Sequence, residues 1–187
     1  MTYIDLIEKY EPYNEQEVRD KKAILDFISQ NDNHLVRTNL VAHLTSSAIV
    51  LNKDYTKVLF AFHNIYQSWS WLGGHLDGDK DLLKVAIKET KEETGIKHVK
   101  AFSSDIFMID VIYVSNHIKH KKYVGDHLHL NVTFLLVGDE SDTLVVKKDE
   151  NQDVRWFDLD DVFNHISEER MVPVFKKAIQ KIKQIIV

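Results

Sequence analysis

Strand-like runs in the middle of the chain, with helical patterns inside and outside that region, constrain the fold more than any other feature. Strands are predicted at residues 47–51, 58–62, 107–114, 127–137, 143–146 and 154–157, with a hairpin turn at 52–54. Helices are predicted at residues 4–10, 14–30, 81–94, 159–165 and 172–186, and Asn14 with Glu17 predicts a capping box at the second of these. This order favours a mixed β-sheet covered by helices on two faces.

Composition narrows the functional classes. A length of 187 residues with 44% hydrophobic and 28% charged residues is typical of one globular domain. The 24 Lys plus Arg against 29 Asp plus Glu give a net charge of −5, which argues against a long nucleic acid as partner. Cysteine is absent, which excludes disulfides, thiolate zinc sites and cysteine nucleophiles. Without an export signal or a long apolar run, we expect a cytoplasmic protein that does not enter a membrane.

The candidate functional residues are concentrated in residues 73–96, GGHLDGDKDLLKVAIKETKEETGI. A Gly-rich loop leads into a helix, and Gly95 predicts its end. Glu89, Glu92 and Glu93 are spaced i, i+3 and i+4 and therefore share one surface of the helix. A helical wheel places two of these acids on the side that faces protein, which predicts a neutralising cation such as Mg²⁺ or Mn²⁺. The alternative is an ordinary solvated helix face whose acids pair with lysines.

The same stretch resembles the box of the Nudix hydrolases. The positions that match the box outright are Gly74, Glu89, Glu92, Glu93, Gly95 and Ile96. Lys88 replaces the box Arg, and Lys80 stands where the first box Glu belongs. The GGHLDGD loop and the segments HLTSSAIVLN, HLHLNVTFLL and VRWFDLDDV are similar to a bacterial subgroup with a GGHxDGD loop.

The resemblance implies a fold and a domain organisation. The expected fold is an α/β Nudix α/β/α sandwich with a mixed β-sheet and an N-terminal helical extension. The chain would form a single Nudix domain over residues 1–187, with the extension at 1–38, the core at 43–162 and a C-terminal helix at 163–187.

The resemblance also implies an activity. It is metal-dependent hydrolysis of the pyrophosphate linkage of a nucleoside diphosphate linked to another moiety, a small nucleotide-type substrate. The family pattern implies that Glu89, Glu92 and Glu93 hold Mg²⁺ or Mn²⁺, with the carbonyl oxygen of Gly74 completing the shell, and that Glu93 is catalytic. A general base in this family often follows the box on a loop near the last core strand. Glu150 is our choice there, and a homodimer is a further family expectation.

Lys80 opens a second interpretation, because a protonated ammonium cannot ligate a metal ion. Asp79 or Asp81 could replace the missing ligand if the loop shifted by one residue. Otherwise the chain would be a catalytically weak or inactive Nudix-fold module that binds nucleotides as a regulator. Retention of all three later glutamates favours the enzyme.

Four further residues are weaker candidates for substrate contact: His75, Lys88, Trp69 and Trp71. The two tryptophans alternate around Ser70, so both base stacking and core packing are open. A zinc site is also conceivable from the histidines at positions 117, 120, 127 and 129. Their spacing is a weak signal, and we interpret them as surface or substrate-contact residues.

Overall fold

The computed structural model describes residues 1–119 and 121–186. The helices are α1 (Tyr3–Lys9), α2 (Glu15–Gln30), α3 (Leu82–Thr94) and α4 (Val172–Ile185), with 3-10 turns at Val162–His165 and Glu169–Met171. The first five strands are β1 (Ala42–Leu51), β2 (Lys57–His63), β3 (Ser68–Ser70), β4 (Leu72–His75) and β5 (Val99–Ala101). The others are β6 (Met108–Val114), β7 (His117–Lys119), β8 (Lys122–Val124), β9 (His127–Gly138) and β10 (Asn151–Asp158).

The chain separates into two compact units, and β1, β4, α3 and β9 each contribute residues to both. The first unit comprises residues 1–47, 73–86 and 103–134, and the second comprises residues 48–72, 87–102 and 135–187. The main strands are hydrogen-bonded in the order β10-β2-β1-β9-β5, with β3 on β2, β4 on β1 and β6 on β9. The predicted mixed sheet with helices, an α/β fold, is thereby confirmed. The single-domain organisation stays a prediction.

In the first unit, the N-terminal helices are attached through buried polar groups. Asn14 caps α2 by accepting the Glu17 backbone N–H at 2.9 Å, which is one of the two hydrogen bonds of the predicted capping box. The Glu17 carboxylate is fully buried and accepts from the Tyr10 hydroxyl at 2.5 Å and the Tyr13 N–H at 2.7 Å. The Asp20 carboxylate accepts the Val111 N–H of β6 at 2.8 Å, so α2 is fixed directly to a strand.

The same unit contains the antiparallel β6–β9 ladder, which pairs Met108 with Thr133 at one end and Val114 with His127 at the other. Alternate residues of β9 face an apolar core that includes Val132 and Phe134, both fully buried. These pairings fix the positions of the histidines at the start of β9.

In the second unit, β2 is paired on both sides. Strand β2 pairs antiparallel with the end of β1 through Val50↔Leu59, and with β10 along most of the length of β2. Strand β3 also pairs antiparallel with β2. The amphipathic helix α4 brings Phe175 against Phe60 of β2, with ring centroids 5.1 Å apart. No helix in the described ranges reaches the length and apolarity needed to cross a bilayer.

Three sequence predictions about elements differ from the structure. Residues 143–146 form no strand, because the Val145 N–H donates to the Thr94 carbonyl at the end of α3 at 2.7 Å instead of joining a ladder. Residues 159–165 contain only the 3-10 turn Val162–His165. The hairpin turn extends over residues 52–56, since the Asn52 side-chain oxygen accepts the N–H groups of Thr56 and Lys57 at 2.9 and 3.0 Å.

Candidate active site

Helix α3 begins with an acidic cap. The Asp81 carboxylate accepts the Lys84 backbone N–H at 3.0 Å, and the Asp79 carboxylate accepts the Asp81 N–H at 3.0 Å. Asp79 also accepts the Lys84 ammonium at 2.9 Å. Asp79 and Asp81, the two acids that could replace the missing metal ligand, therefore already form hydrogen bonds at the start of the helix. Lys80 is exposed between them.

The other end of α3 carries the three glutamates in unequal environments. Glu93 is buried with 7% of its surface exposed, Glu89 is half-buried, and Glu92 is exposed. This order agrees with the helical wheel, which predicted two acids on the protein-facing side. The helix ends as predicted at Gly95, whose φ of +69° is costly for other residues and whose added Cβ would lie 2.8 Å from the Val145 Cβ.

Lys88 lies beside two of the glutamates. Its ammonium is 3.4 Å from Glu89 Oε1 and 3.6 Å from Glu92 Oε1. The charge of Glu89, the hydrogen bond to it and the charge of Glu92 raise the pKa of Lys88. Burial raises the pKa of Glu89, although Lys88 acts in the opposite direction. The Lys88 ammonium, whose side chain is 57% exposed, therefore does not offset the effect of burial on the pKa of Glu89.

The loop before β10 provides a second acid near this part of α3. Lys147 forms an ion pair with Glu150 at 2.8 Å, and both side chains are a little over one quarter exposed. Burial lowers the pKa of Lys147, but the hydrogen bond to Glu150 and the charge of Glu89 outweigh it, so that this pKa is raised. Lys147 therefore interacts with both carboxylates. Of the other loop acids, Asp149 is exposed and Asp153 pairs with Arg155 at 2.5 Å.

The donor set on α3 fits a hard divalent cation. Carboxylate oxygens are the ligands that Mg²⁺ and Mn²⁺ prefer, and a half-buried acid with a raised pKa gains from a nearby positive charge. Gly74 lies in β4, next to Gly73. A Cβ on Gly73 would lie 2.6 Å from the Ser46 carbonyl oxygen, so the close approach of β1 requires glycine at position 73.

The tryptophan rings contact other side chains. Trp69 is buried, packs edge-on against Phe62 and Phe157, and has the Arg155 guanidinium 5.4 Å from its ring centroid. Trp71 packs edge-on against Phe175 at 5.1 Å. The structure thus supports packing for both rings, and their contact with a nucleobase stays a prediction.

Comparison with known proteins decides the family. A sequence model of the NUDIX domain matches residues 41–181. The chain belongs to the Nudix family. An RNA pyrophosphohydrolase from Pelagibacter ubique is 27% identical over 155 residues, covering 80% of this chain and 97% of the relative. A Nudix hydrolase from Clostridium perfringens superposes with a TM-score of 0.54 at 20% identity, covering 74% of this chain and 96% of that one. An Ap4A hydrolase from C. elegans gives a TM-score of 0.54 at 18% identity over 76% and 96% of the two chains.

Nudix membership confirms the resemblance seen at residues 74–96 and indicates a Nudix-type pyrophosphohydrolase. The two superpositions establish the shared Nudix fold. Family membership does not identify the residues of this Nudix chain that hold a metal or act as a base. Those assignments depend on the geometry of α3 and of the loop before β10.

Sequence reasoning missed one cluster. His43, His75 and His129 each offer a ring nitrogen, and these three atoms lie within 4.8 Å of one another. They come from β1, β4 and β9, so only the pairing of strands brings them together. His127 is 8% exposed, so of the two interpretations of this residue the surface position is wrong, and substrate contact stays a prediction. His120 lies outside the described residues.

Proposed function

We propose that this chain hydrolyses the pyrophosphate linkage of a nucleoside diphosphate linked to another moiety, with Mg²⁺ or Mn²⁺ held by Glu89, Glu92 and Glu93. The observation that carries the proposal is the half-buried Glu89 carboxylate, whose pKa burial raises, on a helix face shared with two further acids. The box register supports the carbonyl oxygen of Gly74 as an additional ligand.

Each residue has a defined task in this proposal. A bound divalent cation supplies charge neutralisation of the phosphates and a lowered pKa for water. Glu93, held buried, presents its carboxylate from a fixed position on α3. Glu150 accepts the proton of the attacking water, and its ion pair with Lys147 orients the carboxylate. Lys88, which lies beside Glu89 and Glu92, would offer its ammonium to the substrate phosphate.

The substrate is proposed at the level of class. A net charge of −5 favours a small nucleotide over a long polyanion. The Pelagibacter ubique relative is named for action on RNA, so an RNA 5′ end is a second candidate. We further propose that the protein acts in the cytoplasm, belongs to the subgroup with the GGHxDGD loop and forms a homodimer.

A nucleotide-binding module without turnover is the second candidate function. Two observations favour it: Lys80 occupies the position of the first box Glu, and Lys88 occupies the space between Glu89 and Glu92. In such a module, Lys88 would neutralise Glu89 and Glu92 in place of a metal ion.

A substrate panel separates the two functions. ADP-ribose, diadenosine tetraphosphate, an oxidised nucleoside triphosphate and a 5′-triphosphorylated RNA oligonucleotide are incubated with Mg²⁺, and the products are resolved by chromatography. We expect turnover of at least one nucleotide by the wild type, its loss in Glu93→Gln, and its retention in Glu15→Gln, a matched change of an exposed acid on α2. Binding without turnover above the Glu93→Gln level on every substrate would establish the binding module instead.

A further inference from the structure

Three histidines of the first unit converge from three different strands. His43 lies in β1, His75 ends β4, and His129 lies near the start of β9. The ring centroid of His43 is 5.0 Å from that of His75 and 5.2 Å from that of His129, and His75 and His129 are 4.9 Å apart. One ring nitrogen from each lies within 4.8 Å of the other two.

The protonation of His43 follows from its backbone contact. Its Nδ1 is 3.1 Å from the Asn39 carbonyl oxygen. A carbonyl oxygen only accepts, so Nδ1 carries the proton and Nε2 of the neutral ring carries a lone pair. His43 is 4% exposed, and its Nε2 is buried with no hydrogen-bond partner among the described residues. A buried acceptor of this kind is costly unless a ligand satisfies it.

The protonation of His129 follows from its neighbour His127. His127 Nδ1 is 2.8 Å from the Gly125 carbonyl oxygen, so in the neutral ring Nε2 carries the lone pair. His127 Nε2 is 3.2 Å from His129 Nε2. The His129 nitrogen must therefore donate this hydrogen bond, which leaves a lone pair on His129 Nδ1. The free nitrogens of His43 and His129 are thus both acceptors.

Free acceptors on His43 and His129 favour a metal ion over a phosphate. The N–H groups of His43 and His129 are used by the Asn39 carbonyl and by His127, so neither ring has a proton left to donate to an anion. Each of the three rings contributes one nitrogen to a group of atoms that lie within 4.8 Å of one another. Neutral imidazole nitrogens are ligands for Zn²⁺ and similar ions.

We infer that His43, His75 and His129 bind one divalent transition-metal ion of the Zn²⁺ type. Tetrahedral coordination with metal–nitrogen distances of about 2.0–2.1 Å requires nitrogens roughly 3.3 Å apart, which small ring rotations from the present separations provide. The fourth position is left to water. The Asn39 carbonyl and His127 hold the ligand rings in the required tautomers, as residues behind metal-binding histidines do.

This site is independent of the proposed hydrolysis, because its nitrogen donors differ in kind from the carboxylates of α3. Excess Mg²⁺ occupies oxygen sites but not histidine nitrogens, so the two can be titrated separately. The tag-free full chain is stripped with a chelator, placed in millimolar Mg²⁺ and titrated with Co²⁺ as a spectroscopic substitute for Zn²⁺. We expect one equivalent of Co²⁺ to bind with the intense visible absorption of tetrahedral nitrogen coordination.

Variants assign the absorption to the cluster. His43→Gln, His75→Gln and His129→Gln are each expected to weaken Co²⁺ binding at least about tenfold. His165→Gln, a change of a half-exposed histidine paired with Asp161, is the matched control and keeps wild-type binding. Circular dichroism checks that each variant is folded. His75 and His129 are less buried than His43, so their substitutions disturb the core less. Absence of tetrahedral Co²⁺ binding by the wild type, or its survival in folded His75→Gln, would overturn the inference.

Discussion

Glu89 carries the main electrostatic cost of the candidate site. Its side chain is 13% exposed, and burial raises its pKa even though Lys88 lies 3.4 Å away. An acid with a raised pKa in the folded state destabilises the fold at every pH where it is ionised. A buried charge that destabilises the fold is typical of a binding site, and here the expected ligand is a divalent cation.

Replacement of Glu89 by Gln should therefore stabilise the metal-free protein while removing metal affinity. Below the unfolded pKa of about 4.5, Glu89 is protonated in both states and the substitution has little effect. As the pH rises through the raised pKa, the wild type loses stability relative to the variant. Melting temperatures in chelator from pH 4.5 to pH 8 measure the difference, which should grow with pH.

Glu92→Gln is the control for this pH series, since Glu92 is exposed and its charge costs little in water. Its difference from the wild type should stay small across the range. A Glu89→Gln protein that is less stable than the wild type at pH 8 in chelator would show that the carboxylate is needed for the fold itself.

Glu150 is predicted to act on the proton of water and not on the metal. Glu150→Gln should lower kcat by about 100-fold or more and leave the Mg²⁺ concentration for half-maximal activity nearly unchanged. The measurement is a Mg²⁺ titration of turnover. Asp149→Asn and Asp153→Asn are matched changes on the same loop and should retain activity. Equal losses in all three variants would remove the assignment.

At the scale of elements, the start of α3 depends on Asp81. Its carboxylate accepts the Lys84 N–H at 3.0 Å, which satisfies one of the free N–H groups of the first turn. Asp81→Ala should cost about 1 kcal/mol of unfolding free energy in urea denaturation. Asp81→Asn keeps the accepting oxygen and should cost much less. Equal stability of all three proteins would show that the cap contributes nothing.

Lys80 is the exposed residue at the same helix start that departs from the family pattern. Lys80→Glu adds an acid and removes a positive charge, so it should strengthen Mg²⁺ binding. Ligation worth about 1 kcal/mol corresponds to a several-fold lower Mg²⁺ requirement. Turnover at low Mg²⁺ measures this. Turnover by Lys80→Glu alone, with none by the wild type, would establish the natural protein as a binding module.

Long periodic elements were predictable from the sequence, and short ones were not. The predicted helix at 81–94 and strand at 127–137 correspond to α3 and β9 within about one residue. Each element is long enough for its hydrophobic pattern to repeat several times. Strands β3, β5, β7 and β8 have three residues each. Three residues are too few to show the alternation of apolar and polar side chains that predicts a strand. Residues 143–146 have a strand-like composition, yet the Val145 N–H donates to the end of α3. This tertiary contact cannot be predicted from the composition of the segment.

At the scale of the whole molecule, the sequence predicts sites formed by neighbouring residues better than sites formed by distant ones. The three glutamates lie on one helix, so their spacing alone placed them on one surface. The histidine cluster draws on positions 43, 75 and 129, and no local period connects them. The ion pair of Lys147 with Glu150 likewise depends on how the loop before β10 folds.

The melting temperature as a function of Mg²⁺ tests most directly whether the glutamates of α3 hold a divalent cation. A ligand that binds only the folded chain at 100 times its Kd adds about 2.7 kcal/mol of stability, which for a chain of this size raises Tm by roughly 5–10 °C. The account predicts this rise for the wild type and Glu15→Gln, and little or none for Glu93→Gln. The same Tm with and without saturating Mg²⁺ in the wild type, or an equal rise in Glu93→Gln, would contradict it.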